Sequence, residues 1–136
     1  MFIVLLLACV FLTGCGIKVS LSKEDEMTMT VYLNDVLKDK FDDAVLLMHP
    51  ECRVDAATLK EQVAVLKNEY KEFDGIAVFK SCTYINSGGS FSFSKRERVS
   101  YRCLYDVNGT EFAATFDFLE TNDAKGIASV SIYKNS

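Results

Sequence analysis

At Ile76 the spacing of apolar residues changes period, and this change limits the fold more than any other feature of the chain. Before it, Leu33, Leu37, Phe41, Ala44 and Met48 follow one another at steps of four, four, three and four, which is one face of a helix. Leu59, Val63, Leu66, Tyr70 and Phe73 repeat that spacing. After Ile76 the period is two: Val99, Tyr101, Cys103, Tyr105 and Val107 alternate with polar residues, and so do Phe112, Ala114, Phe116 and Phe118. A helix-period pattern cannot serve as a strand, nor the reverse. The chain therefore divides into two N-terminal helices followed by a meander of about four strands. Helices segregated onto one face of an antiparallel sheet make an α+β fold.

The punctuation agrees. Ser22 is an expected N-cap, with Glu24, Asp25 and Glu26 in the positively polarised first turn. The first helix is expected to run to His49-Pro50, because a residue before proline avoids the α region. Asp55 or Thr58 caps the second, and Asp74-Gly75 stops it. Strands are expected over 76–85, 99–107, 110–120 and 127–133. Asn86-Ser87-Gly88-Gly89-Ser90 reads as a loop, with Phe91-Ser92-Phe93 as a short extra strand. Asn108-Gly109 reads as a two-residue hairpin turn.

Ahead of this domain, residues 2–12 form an uninterrupted apolar run. It is too short to span a bilayer and has the length of a signal-peptide core. Leu12-Thr13-Gly14-Cys15 follows directly. This sequence resembles the lipobox of bacterial lipoproteins. The resemblance implies cleavage between Gly14 and Cys15, and lipidation of the Cys15 thiol. It also implies anchoring in the cell envelope, and Gly16 then implies outer-membrane sorting in a Gram-negative host. Residues 1–14 are the signal peptide, 15–22 a tether of at most about 25 Å when extended, and 23–136 one domain.

The order of the domain's elements, with Phe41-Asp42-Asp43-Ala44-Val45-Leu46-Leu47-Met48-His49-Pro50 closing the first helical segment and Tyr101 to Tyr133 forming the closing strands, resembles the NTF2-like, cystatin-like families. That resemblance implies two helices packed on a curved sheet. Such folds host both binding modules and small-pocket isomerases or hydrolases.

Leader residues carry no charge, so the mature chain keeps all 19 acids and 15 bases, net −4. That balance argues against nucleic acid as a partner. Once Cys9 leaves with the leader and Cys15 is lipidated, Cys52, Cys82 and Cys103 remain. Cys82 and Cys103 lie on neighbouring long strands and are the favoured pair in an oxidising compartment; pairs using Cys52 stay open. Tyr84, Tyr101 and Tyr105 are candidates to line a ligand pocket inside the sheet's curve, against the plainer reading of core aromatics. Lys95, Arg96, Arg98 and Arg102 form the chain's basic cluster, a candidate anion site or a solvated turn. His49 is the single histidine and reads as a helix-end residue. Asp106 and Asp117 fall on the outer face by alternation. No spacing points to a catalytic set, a metal or a cofactor. The expected function is a noncatalytic binding or accessory module of the envelope, of immunity or exclusion type, held to the membrane by lipid. Its partner would be an envelope protein or a small ligand at the sheet's concave face or exposed edge. The alternative is a small-pocket enzyme.

Overall fold

The computed structural model describes residues 21–90 and 95–135, with backbone alone for 86–90. The expected signal peptide, Cys15, most of the expected tether and the expected strand at Phe91–Phe93 lie outside the described residues. Three helices, α1 (Lys23–Leu37), α2 (Phe41–Val45) and α3 (Ala56–Glu69), precede four strands, β1 (Ala77–Ser90), β2 (Arg96–Val107), β3 (Thr110–Thr121) and β4 (Lys125–Lys134). The strands form one antiparallel meander in chain order. This is the expected α+β architecture, with helices packed on one face of a four-stranded sheet. Among the described residues no helix is long and apolar enough to cross a membrane.

Ser22 caps α1 as expected, its Oγ accepting the Asp25 N–H at 3.0 Å. The helix does not continue to His49. Asp39 takes a left-handed φ of 62°. Lys40 N–H then reaches back to the Asp35 carbonyl at 2.7 Å and Asp39 N–H to that of Val36 at 3.3 Å. This pair of bonds is a Schellman closure with aspartate where glycine is usual. Aspartate tolerates that conformation, so the stop left no glycine signal. The chain resumes as α2 without losing phase: Leu33, Leu37, Phe41, Ala44 and Met48 are all buried. Their spacing correctly marked the core face and wrongly implied a continuous helix. Arg53, after α2, donates to the carbonyls of Val45 at 2.9 Å and Met48 at 2.9 Å. It thereby satisfies groups that the ended helix leaves open.

Asp55 caps α3, accepting the Thr58 N–H at 2.7 Å. The helix ends at Glu69 rather than Phe73. Tyr70 and Phe73 leave the helical path to set their rings edge-on against Phe112, with centroids 5.8 and 5.2 Å away. Aromatic packing outweighs one further helical turn here.

Two register shifts interrupt β1, at Phe79/Ser81 and Tyr84/Asn86, and one interrupts β4 opposite Asp117/Phe118. Such bulges bend and twist a sheet. The segment Asn86–Ser90 is paired strand, not loop: its backbone lies opposite Ser100 to Arg96. Partner-strand hydrogen bonding overrides the turn preference of its glycines. Asn108 and Gly109 form the expected two-residue turn, with φ of 52° and 89°.

The core lies between helices and sheet. Tyr101, Cys103, Tyr105, Phe112, Ala114, Phe116 and Phe118 face Met29, Tyr32, Leu33 and Val36 of α1. Burying an apolar side chain of this size stabilises by about 1.5–3 kcal/mol. Polar ties fix where the helices land. The Asn34 amide brackets Ala77, accepting its N–H at 2.9 Å and donating to its carbonyl at 3.1 Å. After α2, Met48 forms a parallel bridge with Ile127 of β4. There His49 N–H meets the Ile127 carbonyl at 2.9 Å, and Ile127 N–H meets that of Leu47 at 3.1 Å. This approach requires a bare backbone at Gly126, where a Cβ would lie 2.5 Å from the His49 nitrogen. Gly126→Ala is therefore expected to cost about 1–3 kcal/mol, read as a lowered urea midpoint with unchanged slope. An unchanged midpoint would show that the bridge is not close-packed.

Candidate functional site

α1 lies over β2 and β3, and α3 stands beside it. Between α3 and the edge strand β4 two adjoining cavities remain, of about 180 and 230 Å³. Both are lined by Tyr32, Leu59, Gln62 and Val130. Val36, Val63, Leu66 and Ile132 complete the first; Met48, Val54 and the Cys52 thiol border the second. No carboxylate, ammonium, guanidinium or imidazole is among these lining residues. The polar handles are the Gln62 amide, the Ser129 and Tyr32 hydroxyls and the thiol.

Tyr32 is the informative member. Only 4% of it is exposed, and its ring packs edge-on against Phe116 at 6.1 Å. Its hydroxyl has no hydrogen-bond partner among the described residues, although the other buried tyrosines have one. Burial pushes its pKa up to about 12. Phenol oxygens in a dry core normally find a partner, and this one opens instead into the cleft.

A second cluster lies at the start of α1. Asp25, 5% exposed, accepts the Tyr101 hydroxyl at 3.1 Å and pairs with Lys125 at 3.0 Å. Burial and then the Asp25 carboxylate push Tyr101 up to about 12. For Lys125, burial pulls downward, but the hydrogen bond and charge of Asp25 carry it above its ordinary value. Every polar group in this cluster holds another, so it ties α1 to β2 and to the start of β4. A small cavity of about 140 Å³ lies alongside it.

The residues singled out from sequence are placed as follows. Cys82 and Cys103 are register partners across β1 and β2 and form a disulfide, with Cα atoms 4.0 Å apart. Cys52 is the free, half-buried thiol of the cleft. Tyr84, Tyr101 and Tyr105 do share the helix-facing side of the sheet, but they pack there as core and do not border the cavities described above. Tyr84 stacks edge-on against Tyr101. Tyr105 lies against Phe79 and shares a 3.0 Å hydrogen bond with Thr30. Its pKa is raised to about 12 by burial, against the opposing pull of that bond. The cavities described above border a different tyrosine, Tyr32 of α1.

Lys95, Arg96, Arg98 and Arg102 do not converge on one anion. Lys95 pairs with Glu120 at 2.8 Å and Arg96 with Glu51 at 3.0 Å. Arg102 donates to the Tyr133 hydroxyl at 2.9 Å and lies over that ring. Arg98 is exposed, with neither an ion pair nor a hydrogen bond to its side chain among the described residues. Alternation along β2 and neutralisation by neighbouring strands disperse the cluster. His49 is buried with both ring nitrogens engaged: Nδ1 accepts the Glu51 N–H at 3.1 Å, which leaves Nε2 to donate to Thr121 Oγ1 at 2.9 Å. Asp117 lies on the outer face, held by the Ser100 and Ser129 hydroxyls. Asp106 accepts the Gly109 N–H at 3.2 Å. Among the described residues no group of acidic, histidine or cysteine side chains is arranged to hold a metal.

No family model and no curated protein matches the chain. Among solved structures, the beta subunit of the benzoate 1,2-dioxygenase from Burkholderia mallei is similar over 87% of this chain and 93% of that one, at 11% identity and a TM-score of 0.36.

Tyr32, Tyr101 and Tyr105 hold their protons to about pH 12 when folded, against 10.0 for the solvent-exposed side chain. The unfolded chain thus loses protons first as pH rises. Stability is full below pH 10 and is expected to fall progressively between pH 10 and 12. Tyrosinate absorbance and tryptic susceptibility measured across this window test it. Early ionisation of all six tyrosines with no loss of structure would contradict these burials.

Proposed function

We propose that the protein is a lipid-anchored, noncatalytic binding module of the cell envelope whose binding site is the cleft between α1, α3 and β4. The observation that carries this reading is the open, uncharged cleft itself, lined by Leu59, Val130 and the largely buried Tyr32, whose hydroxyl borders it with the Gln62 amide. A pocket of that composition, apolar with a few polar handles, suits retention of a ligand or partner group. The commonest acid–base groups of catalysis, carboxylate, imidazole and ammonium, are not among the residues lining it. The Asp25 carboxylate, the buried acid beside a neighbouring cavity, is engaged by Lys125 and Tyr101. Both features favour the module over an isomerase or hydrolase.

The anchor rests on Leu12-Thr13-Gly14-Cys15 behind the apolar run. Lipid on Cys15, with a second acyl chain on the new amino terminus, gives stable membrane attachment where one chain alone holds marginally. The Ser22 cap of α1 lies seven residues beyond that cysteine, so the domain rides close to the headgroups. Such an address suits an accessory, immunity or exclusion role toward another envelope component.

Intact mass of the protein from a membrane fraction, beside a Cys15→Ser variant, tests the address. Wild type is expected to begin at Cys15 and carry a diacylglycerol-sized addition; the variant is expected to keep residues 1–14 and carry no lipid. Wild type that retains Met1 and partitions into the aqueous fraction would end the lipoprotein reading.

A further inference from the structure

β4 is an edge strand, and the chain itself begins to cover its open edge. The Leu47–His49 segment lies parallel to β4 at Ile127 and exchanges two backbone hydrogen bonds with it. The covering stops there. His49-Pro50 turns away, and the register shift opposite Asp117/Phe118 follows at once. From Ser129 to Tyr133 the outer edge has no strand partner among the described residues. The cleft runs beside this bare stretch, with Val130 and Ile132 along one wall and Leu59, Gln62, Val63 and Leu66 of α3 along the other.

We infer that the groove between β4 and α3 accepts an extended peptide segment of a partner protein, which adds as a strand to the open edge of β4. This deepens the proposed function by naming the occupant of its cleft. Two features select a peptide over a small ligand. The edge offers a row of backbone donors and acceptors that only another backbone matches along its length. The two cavities adjoin at Tyr32, Leu59, Gln62 and Val130, as receptors for alternate side chains of one strand, which point to the same side two residues apart. Uncharged lining sets the partner's chemistry. Its inward positions are aliphatic, and a carboxylate or ammonium there would lose its hydration without compensation. The Tyr32 hydroxyl supplies one directed hydrogen bond, and the Gln62 amide closes the rim.

The test uses the full mature chain in lipid nanodiscs, challenged with a random heptapeptide phage library. Enriched peptides are expected to alternate aliphatic and polar residues. A synthetic copy is expected to slow amide exchange over Ser129–Tyr133 and to slow alkylation of Cys52. Gln62→Trp, at an exposed position bordering both cavities, is expected to weaken binding by about tenfold or more. Tyr32→Phe is expected to weaken it about three- to tenfold, with circular dichroism unchanged for both. Failure to enrich peptides, or enrichment of peptides indifferent to Gln62→Trp and to β4 exchange, overturns the inference. Indole, as a neutral small probe, separates the two levels. If it slows Cys52 alkylation where no peptide does, the binding cleft stands and the peptide occupant falls. If neither occupies the cleft, both fall.

Discussion

One apolar sheet face must be covered by three helices, and the covering is incomplete. α1 lies along β2 and β3, where Tyr101, Cys103, Tyr105, Phe112 and Phe116 are buried in the core. α2 and the segment after it meet β4 near its start, at Gly126 and Ile127. α3 approaches β4 without closing on it, and the uncovered strip becomes the cleft. The binding site proposed for this molecule is thus a consequence of where the core's packing runs out.

Three polar ties, those of the buried Asp25 and His49 and the half-buried Asn34, hold that arrangement in place. Asn34 fixes α1 against the start of β1, Asp25 fixes its other end against Tyr101 and Lys125, and His49 fixes the segment after α2 through Thr121. Apolar packing alone permits a helix to slide along a sheet; directed hydrogen bonds in a low-dielectric interior do not, because each slip leaves a buried group unpaired. The Cys82–Cys103 disulfide adds a covalent tie between β1 and β2 at a residue pair already in register.

What the sequence disclosed and what it hid follow from the range of the forces involved. The Asn108-Gly109 turn, the Ser22 and Asp55 caps, the alternation in β2 and β3 and the core face of the helices are local signals. Each is present in the structure. The break at Asp39 was local too, but a non-glycine residue in the left-handed region leaves no compositional trace. Asn86–Ser90 has loop composition and strand pairing, because its partner, Ser100 to Arg96, is remote in sequence. The functional residues were the least legible. Asp25 reads as a helix-start acid until Lys125 is brought beside it. Tyr32 adjoins Leu33 in the helical stripe, and nothing in the sequence marks it as bordering a cleft. A cavity depends on how far α3 stands from β4, and no spacing of residues encodes that distance.

The same logic explains why charge and titratable groups were poor guides to function here. The basic cluster dissolves into separate pairs, and the single histidine is spent on architecture. What remains as a candidate site is the open cleft, with the Tyr32 hydroxyl and the Gln62 amide at its border. A crystal structure of the protein purified from its own membrane tests this most directly. The expected result is an open α3–β4 cleft in which the Tyr32 hydroxyl bonds to water or to an occupant. A cleft closed by Leu59 against Val130, with the Tyr32 hydroxyl bonded to the chain itself, would contradict it.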